Sequence, residues 1–311
     1  MAAGLIVITL MQRIAMLLIM AVVGVLLVKG KLLAKEDGRV MATIIVYAFT
    51  PCVVLRSFLI EYDEQIRDGF LFATAVAIIV HIVLILVCNL TSLAFPLRRV
   101  EKASLIYSNA GSMALIIIPT VLGEEWMIYA SAFICVQIVF TWTHELSLMQ
   151  NSKGIDWNKI IKNPNLIAVV VGIIMFFFSI RLPRPASDAI ETMAQAIPAT
   201  GMIVIGMRLA YADWKKLLRE KRIFLMVLMK MIVLPGIILL LMKFSGAGNV
   251  VANGGTILLV SFISVITPSG NTVAQLAQLY DTEPDYASAI NVMTTLVCMF
   301  TMPFMVWLFL L

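Results

Sequence analysis

The chain is 311 residues long, 61% hydrophobic and only 13% charged, with a mean hydropathy of +1.01. A soluble domain lies nearer half apolar and a quarter charged, so this composition excludes one and leaves a polytopic membrane protein. The net charge of +5 falls mostly in short connections, where it orients spans and meets anionic membrane lipid rather than nucleic acid.

In chain order the apolar runs predict ten spans of about 20 residues each. The first covers residues 5–28 and carries Gln12 and Arg13. It lacks the basic n-region and small-residue cleavage site of a signal peptide, so it is expected to be retained. The second (40–60) contains Thr50-Pro51, the third (69–90) contains His81, and the fourth (103–122) has a polar interruption. After the fifth (126–145), the polar connection Asn151–Lys159 divides a first half, 1–150, from a second, 151–311. The sixth follows Asn163-Pro164 and ends near Ile180; the seventh (190–207) holds Pro198, Gly201 and Gly206. The eighth (223–242) holds Lys230 and Pro235, the ninth (254–279) is interrupted like the fourth, and the tenth runs from Tyr286 to Leu311.

Charge tests this division. Connections after odd-numbered spans carry 16 Lys and Arg, and those after even-numbered spans carry 4. Positive residues favour the cytoplasm, so both termini are expected outside the cell membrane. The cysteines, Cys52, Cys88, Cys135 and Cys298, lie in apolar runs without a CxxC pair. Neither a disulfide framework nor a metal site is expected from them.

The interruptions carry the functional signal. In span nine, Thr267-Pro-Ser-Gly-Asn-Thr272 places polar residues and helix breakers between apolar flanks. Pro268 lacks the N–H of the helical ladder and Gly270 adds backbone freedom. In span four, Ser108-Asn109-Ala-Gly111-Ser112 precedes Pro119. In lipid, freed backbone groups must be covered by protein or a wet cavity, so two interrupted spans, one per half, point to a transporter site. Two ordinary kinked helices give the same pattern, because Pro and Gly are common in spans. Tyr129-Ala-Ser-Ala132 opens span five and Tyr286-Ala-Ser-Ala289 opens span ten, each just after an interrupted span. One such match can arise by chance, but a repeat of five spans, an odd number, inserts its second copy upside down.

These residues resemble the auxin efflux carrier family, in its bacterial branch, along essentially the whole chain. The resemblance is carried by Tyr107-Ser-Asn-Ala-Gly111, Gly123-Glu-Glu-Trp126, Asn163-Pro-Asn165, Thr267-Pro-Ser-Gly-Asn271 and Leu276-Ala-Gln-Leu-Tyr280. It implies an all-α membrane protein of ten helices in a five-plus-five inverted repeat, with spans four and nine crossing at their breaks. It also implies a scaffold of spans one, two, six and seven and a mobile transport domain of spans three to five and eight to ten. The family often has a proline where this chain has Ile116, so the break of span four is expected either at Pro119, as a shifted break, or earlier in the polar run. The implied substrates are small organic anions: auxin in plants, dicarboxylates such as malate or malonate in bacteria.

At a break, one half-helix offers free N–H groups that suit a carboxylate, and the other offers carbonyls that suit a cation or hydroxyl. The expected substrate site is Asn109, Gly111, Ser112 and Pro119 in span four with Thr267, Pro268, Ser269, Gly270 and Asn271 in span nine. Gln137, Asn291, Thr294 and Thr295 from spans five and ten join it. Any one of these polar side chains would equally serve an interhelical hydrogen bond. No Asp or Glu is expected deep in a span, which leaves His81 as the candidate for coupling to a proton, a sodium ion being the other expected partner. Lys230, Arg56 and Arg13 are the remaining charges within spans; the alternative role is local pairing for Lys230 and snorkelling toward the outer interface for Arg56 and Arg13.

No HExxH, GxSxG or paired intramembrane aspartates occur, and His81 and His144 sit in different spans. An enzyme, a cofactor and a bound metal are therefore not expected. The sequence reads as a secondary transporter of a small mono- or dicarboxylate by alternating access, with a homodimer compatible. The alternative is an ion-coupled carrier of a non-anionic solute, or a channel or sensor on the same scaffold.

Overall fold

The computed structural model describes residues 3–34, 36–59, 63–150 and 161–311. The connection Asn151–Lys159 therefore lies outside the described residues, as does the side chain of Arg13. Among them the chain is helical, and the one β-type pairing is an isolated antiparallel bridge between Ser108 and Ser269.

The first group of helices is α1 (Ala3–Lys29), α2 (Asp37–Phe58), α3 (Glu64–Ala94), α4 (Arg99–Ile106), α5 (Ala110–Val121) and α6 (Glu124–Gln150). The second is α7 (Pro164–Phe177), α8 (Arg184–Tyr211), α9 (Trp214–Arg219), α10 (Lys221–Phe244), α11 (Gly254–Val265), α12 (Asn271–Leu279) and α13 (Pro284–Leu310). Six of them (α2, α3, α6, α8, α10 and α13) are long and apolar enough to cross a membrane.

Local chemistry sets several helix starts. The Asp63 carboxylate accepts from the N–H groups of Gln65 and Ile66, satisfying two of the donors that open α3. Asn163 does the same for α7, accepting from Asn165 at 2.9 Å, while Pro164 takes the first helical position, where no N–H is needed. In α3 the buried Ala77, His81, Leu84 and Cys88 recur at helical spacing, yet Ile79, Leu86 and Leu90 on the other side are exposed. A helix apolar all round, with one side open, is one that faces lipid.

Two packing groups result. In one, α1 lies along α8, and α2 packs on α7 and α8. The α1–α8 approach is backbone to backbone: a Cβ added at Gly24 would overlap the Ile203 carbonyl, and one at Gly206 the Ala21 carbonyl. Small residues of this kind are how membrane helices gain close contact without a hydrophobic driving force. In the other group α3 packs on α6, α11 packs on both, and α10 and α12 pack on α13. The groups meet where α13 touches α1 and where α6 touches α2 and α7.

Two helices are broken and their breaks touch. Between α4 and α5 the chain leaves the helix at Tyr107; between α11 and α12 it does so from Ile266 to Gly270. The Asn109 N–H donates to the Pro268 carbonyl (2.8 Å) and the Gly270 N–H to the Tyr107 carbonyl (3.0 Å). The first break thus lies before Pro119, which sits inside α5 toward its end. The polar run Ser108-Asn109, held to the other break by backbone pairing, ends α4.

Candidate substrate site at the helix crossing

A cavity of about 110 Å³ opens beside the paired breaks. Of the residues expected from sequence, Asn109, Gly111, Ser112, Gln137, Gly270 and Asn271 line it. Of the others, Pro268, Ser269, Asn291 and Thr294 hold the crossing together. The Asn291 amide donates to the Ser269 carbonyl at 2.6 Å and to Asn271 Oδ1 at 3.3 Å. The Ser269 N–H donates to Thr294 Oγ1 at 3.2 Å, and Pro268 supplies the carbonyl that Asn109 meets. Thr267 and Thr295 turn to carbonyls of their own helices, Ser264 and Asn291. Pro119, within α5, is outside the cavity lining.

The two breaks are braced alike. Gln137 from α6 donates to the Ser108 carbonyl (2.7 Å) and accepts from the Ser108 hydroxyl (2.9 Å). Thr294 from α13 meets Ser269 in the same way, by accepting from its N–H. Gln137 and Thr294 each stand eight residues after the tyrosine of a Tyr-Ala-Ser-Ala segment.

Among the described residues there are four π-helical turns: Ile45–Phe49, Thr141–Glu145 and Met229–Val233 interrupt α2, α6 and α10, and Ala110–Ala114 opens α5. An inserted residue of this kind shifts the helical phase and is common at functional sites. Here three of the turns bring residues to the cavity wall: Ile45 and Val46, Gly111 and Ser112, and Thr141 and Trp142. The fourth aims Lys230, which is 2% exposed, at the carbonyls of Leu105 (3.1 Å) and Tyr107 (3.4 Å). Those carbonyls end α4, where the helix dipole is negative and a cation is favoured. The carbonyl end of that break therefore has its cation built in. The N-termini of α5 and α12, positive ends, begin at the cavity.

Two buried amide groups there lack partners: Asn109 Nδ2 and Asn165 Oδ1, in residues 4% and 6% exposed. Buried polar groups are nearly always hydrogen-bonded, so such a pair on a cavity wall marks where a ligand or water binds. Asn165 follows directly from the Asn163-Pro164 start of α7, a motif that carried the family resemblance without being assigned to the site.

His81 does not line the cavity. Its Nδ1 lies 2.7 Å from the Ala77 carbonyl, which can only accept, so that nitrogen carries a proton. The ring lies parallel to Phe140 and packs against Phe133 and Tyr107, and its Nε2 has no partner. Tyr107 in turn donates to the Phe140 carbonyl at 3.1 Å and reaches His144 Nδ1 at 2.8 Å.

Three charged residues differ from the sequence reading. Glu145 is fully buried in a helix able to span a membrane, against the expectation of no carboxylate deep in a span. It accepts from the Thr272 hydroxyl at 3.4 Å and so lies behind α12. A span placed at 126–145 put Glu145 at an edge, whereas α6 continues to Gln150. Arg208, counted with a connection, lies in α8 because that helix runs on to Tyr211; its guanidinium lines the cavity and donates to Asn271 Oδ1 at 3.3 Å. Arg56 is pinned at the end of α2, pairing with Glu124 at 3.1 Å and with Glu191.

At the opposite, basic end, Glu101 is fully buried and binds Arg222 through both carboxylate oxygens. It also accepts from the Tyr286 hydroxyl (2.8 Å) and the Arg98 N–H (2.7 Å). Glu101 precedes the apolar run at 103–122. Its burial alone would push the carboxyl up, but Arg222, the Arg98 N–H and Tyr286 outweigh this and hold it below the usual 4.5.

Broken helices meeting at a cavity with a few polar groups, within an apolar helical bundle, point to a membrane transporter. A family model described as membrane transport protein matches residues 9–156 and 150–306. The chain belongs to that family, the auxin efflux carrier type of membrane transport protein. Among curated proteins, no individual relative matches it.

Proposed function

We propose that this protein is a secondary active transporter of a small organic anion, binding it at the crossing and moving it by alternating access. The observation that carries this reading is the cavity where two helix N-termini begin beside the unpartnered amides of Asn109 and Asn165. N–H groups in the first turn of a helix have no intrahelical partner, and two such ends suit a carboxylate. The opposite charge preference is answered within the protein, because Lys230 already occupies the carbonyl end of α4.

With α9, a six-residue helix, counted as a connection and each broken pair as one passage, the helices would make ten spans in two groups of five, the second inverted. The equal placement of Gln137 and Thr294 after their Tyr-Ala-Ser-Ala segments supports this repeat. The group containing α1, α2, α7 and α8 would be the scaffold, and the bundle around the crossing the moving part, in a cell membrane with both termini outside. His81 behind Tyr107 is proposed to couple transport to a proton.

The deciding experiment is uptake into proteoliposomes over a panel of mono- and dicarboxylates, with and without proton and sodium gradients. Saturable uptake that Asn271→Leu lowers at least tenfold is expected; unchanged affinity in that variant rejects the crossing as the site. Unchanged pH dependence in His81→Gln removes the coupling role while leaving the site intact.

A further inference from the structure

We infer that Arg208 is the charge-selecting residue of this site and that the substrate it selects carries one carboxylate rather than two. The inference rests on the reading of the crossing as an anion site.

Arg208 is the only charged residue lining the cavity among the described residues. Its one recorded partner there is a neutral amide oxygen, Asn271 Oδ1, at the long distance of 3.3 Å. Five N–H donors on a planar fork are poorly served by one such bond. Intramembrane charges generally pair with one another or mark a substrate path. Arg56 and Arg222 do pair, with Glu124 and Glu191 and with Glu101, and Lys230 has its two carbonyls. Arg208 has no such carboxylate among the described residues. A guanidinium matches a carboxylate by two parallel hydrogen bonds, so a bound acid completes what the protein leaves open.

The count of charges sets the substrate class. Lys230 answers the carbonyls that end α4 and lies outside the cavity lining, and the positive ends of α5 and α12 are partial charges directed at the same bound group as Arg208. The formal charge facing the cavity is then that of Arg208 alone. One carboxylate balances it. A second would be desolvated against Trp142, Ile45, Val46 and neutral amides, with no cation to meet it. Asn109 and Asn165 offer one donor and one acceptor to an uncharged hydroxyl, keto or amide group instead. At about 110 Å³, the cavity has room for an acid of a few carbons. Arg208 belongs to α8, in the α1–α2–α7–α8 group, whereas Asn271 opens α12 in the other. The carboxylate therefore enters between the two packing groups, replacing the only direct side-chain tie that Arg208 makes to the crossing.

The test uses full-length protein in proteoliposomes at pH 7.5, with labelled lactate, pyruvate and butyrate set against malonate, succinate and malate. The expected result is that at least one monoacid exceeds every diacid tenfold or more in kcat/KM. Arg208→Gln should then raise the KM for that monoacid at least tenfold, and Arg208→Lys, which keeps the charge but loses the fork, should restore part of it. Preference for a diacid overturns the proposal, as does an unchanged KM in Arg208→Gln. Should that variant fail to fold, the wild-type preference and the Arg208→Lys KM still decide: a KM equal to wild type there denies the fork its role. Loss of uptake in Asn271→Leu with Arg208→Gln unaffected removes Arg208 alone, whereas uptake unaffected in both removes the crossing site as well. Uptake of none of the six acids by the wild type overturns both.

Discussion

The Lys230 ammonium donates to the Tyr107 carbonyl, the same oxygen that accepts the Gly270 N–H. One atom of span four thus receives a charged donor from α10 and a backbone donor from the other break.

Replacing Lys230 by Met, of similar length, removes the donor and leaves the Leu105 and Tyr107 carbonyls short of a partner. Each under-satisfied buried group costs about 1–3 kcal/mol. Lys230→Met is expected to lower the thermal midpoint in detergent and to reduce transport more than tenfold. A midpoint equal to that of wild type would show that the crossing does not depend on this contact.

Gln137 and Thr294 brace equivalent serines, so their truncation should have matching effects. Gln137→Leu and Thr294→Val are each expected to lose about 1–2 kcal/mol of crossing stability. The readout is hydrogen exchange at residues 107–112 and 267–272: each variant should speed exchange at both breaks, because the breaks are bonded to one another. Exchange confined to the nearer break would contradict that coupling.

Gly24 and Gly206 stand where backbone meets backbone. Gly206→Leu has no room to relax and should cost more than about 2 kcal/mol. Folded yield on gel filtration should fall sharply, while a lipid-facing control change such as Ile79→Leu on α3, at a residue 60% exposed, should leave yield unaltered.

The Glu101 cluster predicts an acid limit. Because the folded-state pKa of Glu101 lies below its ordinary value, its contribution is fully present at neutral pH. The contribution falls away as the pH drops below the carboxylate range and through the depressed pKa. Glu101→Gln should therefore lower the thermal midpoint at pH 7, and the difference from wild type should shrink on acidification. A difference independent of pH from 7 to 3 would assign the effect to packing.

Much of this was legible in the sequence, and the exceptions have causes. The break in span nine was readable because Pro268 and Gly270 disrupt a helix by their own covalent structure. The interruption of span four was readable as a polar run, but its position relative to Pro119 was not: Ser108 and Asn109 leave the helix because the other break supplies their backbone partners, a tertiary effect. Arg208 was hidden by a boundary error of a few residues at a helix end, where any basic residue looks like a topology signal. Glu145 was hidden the same way. The π turns have no local signature at all, so the re-aiming of Ile45, Gly111 and Thr141 into one wall could be seen only in three dimensions.

The direct ties between the two breaks run from main-chain amide to main-chain carbonyl, at Asn109–Pro268 and Gly270–Tyr107. Such bonds survive nearly any exchange of side chain. Cavity-facing residues that brace neither break, unlike Gln137, are therefore free to change identity, and with them the molecule carried, while the mechanical joint persists. A protein built this way separates what it recognises from how it is held together, which lets a single architecture be retuned to many solutes.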